Sequence, residues 1–179
     1  MVLTYIFVGL VGVYTALAAV VDIRLHRIPN YLTVPTALLG LSFHSFISDW
    51  GTLTSLAGFA VGFGLLLLPW LLGGGGMGDV KLLAALGTWL GPTYMLVAFV
   101  ASIFLAALIA LGVLAKVACT KGAATAKRKY LSTGNGDQGN RTKRHKRMRV
   151  VPFAVPVAMS TWILLGWLIT HGGIPLSPV

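Results

Sequence analysis

Residues 2–21, 31–47, 53–72, 93–115 and 150–170 contain no Asp, Glu, Lys or Arg, and residues 80–90 contain only Lys81. Nothing in the chain constrains its fold more. A helix crosses the hydrocarbon core of a bilayer, about 30 Å thick, with about 20 mostly apolar residues. Charged residues make up 10% of the chain, against about 25% in soluble domains. That excludes disorder over most of its length and excludes a soluble enzyme of ordinary surface. The expected fold is all-α: one membrane domain over residues 1–179 with six transmembrane helices.

The fourth run is short. Its eleven residues rise only about 17 Å as a helix, so it must be tilted into a thinned region, extended at its ends or buried among the others. Charge settles the count in favour of six. Arg24 and Arg27 follow the first run, Lys81 opens the fourth, and the remaining eleven of the fourteen basic residues lie between Lys116 and Arg149. With six spans all of them fall on one side, which the positive-inside rule makes cytoplasmic, and both termini lie outside. A single long helix over 80–115 would push the basic loop across the membrane. A cleaved signal peptide carries its basic residues before its apolar stretch; here they come after it, so the first helix is retained.

Residues 116–149 shift abruptly to Gly, Asn, Lys and Arg and read as a flexible basic cytoplasmic loop. Such a loop sets topology and touches anionic lipid. Basic runs alone are non-specific electrostatics, so no specific nucleic acid is expected. The single cysteine, Cys119, excludes an intrachain disulfide and a cysteine-based structural zinc site.

The net charge of +10 leaves only four acidic residues, Asp22, Asp49, Asp79 and Asp137, with no glutamate. The topology puts Asp22 and Asp79 on the same face, each at a membrane boundary. Plain interfacial aspartates, each with a base two residues away (Arg24 and Lys81), would look the same. Their surroundings differ from that picture. Asp79 follows Gly73-Gly74-Gly75-Gly76-Met77-Gly78, a run that permits unusual φ and close backbone approach. Irregular backbone at membrane depth survives only inside protein or beside a water-filled cavity. Asp22 precedes Arg27-Ile28-Pro29-Asn30. Pro29 ends the first helix and Asn30 suits the N-cap of the second. Asp22 and His26, at i and i+4, could share a metal, but no third ligand is apparent, and no metal or other cofactor is expected.

These segments resemble a known family. Asp22 with Arg27-Ile28-Pro29-Asn30, then Gly76-Met77-Gly78-Asp79-Val80-Lys81, resemble the signature of type IV prepilin leader peptidases, membrane aspartic proteases of the GxGD type. Pro152-Phe153-Ala154-Val155-Pro156 resembles the family's third, weaker motif. The resemblance implies that Asp22 and Asp79 are the catalytic pair and that the GxGD motif opens the fourth helix. Gly76, Gly78, Lys81, Pro29 and Asn30 would shape the site or bind substrate. It further implies substrates that are prepilins or pseudopilins with a basic leader and an apolar helix, cut at the cytoplasmic face of the bacterial inner membrane. Nine residues separate Val21 from Tyr31, none of them cysteine. The cysteine-bearing insertion of larger members is therefore missing, and N-methyltransferase activity is not expected. The size is similar to that of the compact peptidases of tight-adherence pili.

Peptide hydrolysis by two aspartates needs one carboxylate to activate water and one carboxylic acid to polarise the carbonyl. Asp79, at a helix N-terminus, suits the anion; Asp22, at a helix C-terminus, suits the acid. The rival reading is a non-catalytic assembly factor or small transporter. A transporter favours a midplane acid on a broken helix, whereas both acids here sit at one interface.

Overall fold

The computed structural model describes residues 2–25, 28–48, 51–72, 76–121 and 152–171. They form five helices: α1 (Val2–Leu25), α2 (Asn30–Phe46), α3 (Gly51–Leu71), α4 (Met77–Lys121) and α5 (Ala154–Thr170). The chain divides into two compact units, Met1–Phe104 with Pro152–Val179, and Leu105–Val151. In the second unit the described residues, 105–121, are the last part of α4. Helix α4 runs on to Lys121, so the first residues of the expected basic loop are helical; residues 122–149 of that loop lie outside the described residues.

The fourth and fifth apolar runs share α4, and Gly91 breaks it with φ 70° and ψ 175°. A left-handed φ is open to glycine without the Cβ penalty. Two arms result, 77–90 and 92–121. The first begins upstream of the expected 80, and residues 82–91 are buried without interruption. A helix that is apolar all round belongs in the interior. The fourth run is thus short because it is the central helix, extended at its start and enclosed by protein. Among the described residues three helices, over Leu3–Leu25, Gly51–Leu71 and Met77–Lys116, are long and apolar enough to cross a membrane, and Ala154–Thr170 is a shorter apolar helix. The outward faces are apolar too: Leu53, Leu72 and Phe104 are all widely exposed, as in a membrane protein.

A break inside an apolar bundle frees backbone carbonyls that need donors. Pro92 has no N–H to give the carbonyl of Thr88, four residues earlier. Ser55 Oγ donates to Thr88 O instead, at 2.8 Å. His44 Nε2 donates to Trp89 O at 3.0 Å. Trp89 Nε1 in turn donates to Thr36 O at 2.9 Å, and its ring packs among Phe7 and Phe43, with centroids 5.8 and 5.6 Å away. Side chains of α2 therefore cap the first arm of α4 from one side and α3 caps it from another.

Helix α3 buries only Ser55, Gly58 and Gly62, one stripe at i, i+3 and i+7. Small residues on such a stripe let helix backbones touch. A Cβ on Gly58 would run into the carbonyl oxygen of Gly87, and one on Gly62 into that of Leu83. Gly64, in the same helix, has nothing within 4 Å of its Cβ position. Gly58→Ala should therefore destabilise the protein by about 1–3 kcal/mol, as overpacking does, while Gly64→Ala should be neutral or stabilising by up to about 1 kcal/mol. Thermal unfolding in detergent measures both; equal midpoints would mean that α3 and α4 do not meet backbone to backbone.

Candidate active site

The buried face of α1 carries Phe7, Val11, Tyr14, Ala18 and Asp22. Their spacing of three and four is the helical repeat, so the register that buries the apolar residues also carries Asp22 inward. Its residue is 1% exposed. The helix continues to Leu25, so Asp22 sits within its last turns. A buried carboxylate needs hydrogen-bond donors. One comes from far along the chain: the backbone N–H of Ala154 donates to Asp22 Oδ2 at 3.3 Å. Ala154 is the first residue of α5, and N–H groups at a helix start have no acceptor in their own helix.

Asp79 lies in the first turn of α4 and is 7% exposed. Its N–H donates to Gly76 O at 3.0 Å, closing the turn that starts the helix. Gly78 was expected to supply unusual φ or room for a substrate. It is helical, and among the described residues the positive-φ glycines are Gly51 and Gly91. A Cβ on Gly78 would instead lie 3.3 Å from Ile28 N and 3.5 Å from Ile28 Cβ. Gly78 is small because the buried Ile28 packs on it. Gly73, Gly74 and Gly75 lie outside the described residues.

The turn between α1 and α2 thus leans on the start of α4. Pro29 is extended, with φ −77° and ψ 149°, and is itself the N-cap of α2; no side chain caps that end. Asn30, expected as the cap, is the first helical residue. Its Oδ1 accepts a hydrogen bond from Lys81 Nζ at 2.8 Å. A shared contact of that kind fastens two segments better than a local cap would. Three contacts converge at one end of the bundle: Asp22 with Ala154, Ile28 with Gly78, and Asn30 with Lys81. Asp22 and Asp79, the buried carboxylates among the described residues, belong to these segments.

The electrostatic contrast expected between the two aspartates took in the ends of α1 and α4 alone, and the structure adds the start of α5. Asp79 has the positive end of α4, as foreseen. Asp22 has the negative end of α1, but also the positive end of α5 and a direct bond from it. Helix ends favour charge of opposite sign within about one turn, so α5 offsets α1. Among the described residues no three His, Cys, Asp or Glu gather to hold a metal; His26 lies outside them.

Comparison with known proteins places this geometry. The model of the type IV leader peptidase family matches residues 9–111, more than half of the chain. The chain belongs to that family. The matched region contains Asp22, the Ile28–Asn30 turn and the Gly76–Lys81 segment, and it stops before α5. Prepilin leader peptidase/N-methyltransferases of Burkholderia pseudomallei strains 1026b and K96243 are each 38% identical over 108 residues, covering 52% of this chain and 33% of the relative. The match thus spans a third of the length of these curated relatives. No solved structure matches.

Two contacts were not legible in the sequence. Ile28 stands in the motif beside Pro29, but nothing in its type marks it as the residue that packs on Gly78, and the Ala154 N–H is a backbone group that no residue type announces. The Pro152–Pro156 motif was the one available sign that the start of α5 matters. The Lys81–Asn30 contact can be weighed directly. Lys81→Met and Asn30→Ala should each cost about 1 kcal/mol, and the double variant should lose no more than either single one, as a shared bond requires. Unfolding midpoints in detergent for all four proteins test this; additive losses would show that the two residues act separately.

Proposed function

We propose that the chain is a membrane aspartic endopeptidase in which Asp22 and Asp79 remove the short leader of prepilin-like proteins. The observation that carries this reading is the burial of two of the chain's four carboxylates at one end of a bundle, on segments that interlock, inside the region matching the family. Buried acids within a membrane bundle are costly and tend to be functional.

In this reading one carboxylate takes a proton from a water molecule, whose oxygen adds to the scissile carbonyl carbon. The partner carboxylic acid donates its proton to the carbonyl oxygen. The tetrahedral diol then collapses: the C–N bond breaks, the leaving nitrogen takes up the proton held by the pair, and one hydroxyl returns its proton to the pair as the new C=O forms. Two like charges held close do not both ionise, so the pair holds one proton between them. The reaction needs no cofactor.

Six spans arrange this chemistry with α4 counted as two, its break at Gly91-Pro92 forming the uncharged turn on the outer side. All Lys and Arg then lie on the cytoplasmic side of the bacterial inner membrane, as do Asp22 and Asp79. The substrate's apolar helix stays in the bilayer while its basic leader reaches the pair. The named relatives are also N-methyltransferases, but the match spans a third of them and no cysteine lies between Val21 and Tyr31; the proposal is confined to hydrolysis.

Asp22→Asn and Asp79→Asn should each reduce leader cleavage by at least about a thousandfold, with the same amount of protein in the membrane. A time course on a leader-bearing prepilin in proteoliposomes measures it, and near-normal cleavage by either variant would sink the two-aspartate mechanism. The wild-type rate should be unchanged by EDTA; loss on chelation with recovery on adding zinc would point to a metal at Asp22.

A further inference from the structure

The start of α5 is built around one donor. Its first helical N–H, on Ala154, goes to Asp22 Oδ2 at 3.3 Å. The next, on Val155, goes back to Pro152 O at 3.2 Å. Pro156 has no N–H at all. The Val157 N–H makes the first bond within the helix proper, to Phe153 O at 3.4 Å. Of the donors that a helix start ordinarily leaves over, this one turns a single N–H on a side chain, and that side chain is Asp22. The arrangement is closed to water: Ala154 and Asp22 are each 1% exposed.

We propose that the Pro152–Pro156 turn is a positioning element of the active site, in which the Ala154 N–H fixes the rotamer of the Asp22 carboxylate. This rests on the peptidase reading above and extends it to a segment outside the family match. The residue at 154 acts through Asp22 and does not touch substrate. Side-chain identity there matters only through size, since a larger group would wedge α5 away from α1. Proline at 156 matters because it leaves no further N–H at that buried position in need of an acceptor.

The titratable groups near this end, among the described residues, are Arg24 on α1, Tyr31 on α2, and Asp79 and Lys81 on α4. Helices α3 and α5 contain none. On α5's side, then, the backbone N–H is what Asp22 meets in place of a charged partner.

The test exchanges that N–H for an ester oxygen; the same exchange leaves Phe153 O a weaker acceptor for the Val157 N–H, so the infrared bands of Asp22 read the loss of the donor itself. Replacing Ala154 by lactic acid through nonsense suppression turns its amide into an ester in the full-length chain, in nanodiscs. Ala154→Gly keeps the N–H and serves as control. In the ester protein kcat should fall about tenfold with KM unchanged, and Ala154→Gly should keep the wild-type kcat. A wild-type kcat in the ester protein would overturn the proposal, as would an equal loss in Ala154→Gly, which marks packing alone. A second readout does not depend on cleavage: the carboxyl and carboxylate stretching bands of Asp22, isolated by infrared difference against Asp22→Asn, should shift in frequency in the ester protein and not in Ala154→Gly. If those bands shift while no protein cleaves a leader, the peptidase reading fails and the contact stands; if they do not shift, the contact fails whatever the cleavage rate.

Discussion

Backbone groups that stop being paired inside an apolar bundle must find partners, and this requirement organises the molecule at both ends. At one end α4 breaks at Gly91, and the carbonyls freed by the break and by Pro92 are met by Ser55 from α3 and His44 from α2. At the other end α5 begins, and its leading N–H is met by Asp22 from α1. In each place a polar side chain that would be costly to bury alone is held by a backbone group that would be equally costly to leave alone. Ser55, His44 and Asp22 are thus polar where a helix breaks or begins, whereas buried Thr15 and Thr161 bond to carbonyls of their own helices.

Between the two ends the central arm of α4 has to be enclosed. Its carbonyls at Leu83 and Gly87 lie against Gly62 and Gly58 of α3, a distance that no side chain could bridge or share. Without a hydrophobic effect to drive helices together in lipid, such contact relies on close packing. It also keeps the two segments of the site in register. Helix α4 carries Asp79 at its start, and Tyr14 on α1 donates to Leu82 O at 3.3 Å, tying the helix of Asp22 to the helix of Asp79 below the level of the carboxylates.

How much of this could be read beforehand depends on whether a feature lives in side-chain type or in contact. The apolar runs announced helices because hydrocarbon admits little else. Asp22 and Asp79 stood out because the chain has so few acids and both flank apolar runs. Asn30 shows the limit. Its type and place fitted an N-cap, and a cap was expected, yet its amide faces Lys81, fifty-one positions away. Gly78 shows the same limit from the other side. Glycine signals either free φ or want of room, and only the position of Ile28 decides for want of room. The short fourth run left three accounts open by length alone, and only the packing selects extension at its start with burial among the other helices.

The last helix joins these points. The family match ends at 111, although a residue beyond it touches the buried carboxylate of Asp22. A backbone donor explains why such a contact leaves little trace in sequence. Any residue but proline supplies an N–H at position 154, so the contact is framed by its neighbours: Pro156 has no N–H to give, and Val155 gives its own to Pro152 O. A buried carboxylate held in this way gains a donor without a basic side chain beside it; a compensating lysine would have to be buried as well and would carry a desolvation cost of its own. The positive end of a helix offers part of a charge already solvated by its own peptide groups, and α5 brings it to Asp22 while its Trp162 Nε1 donates to Thr15 Oγ1 of α1 at 2.9 Å.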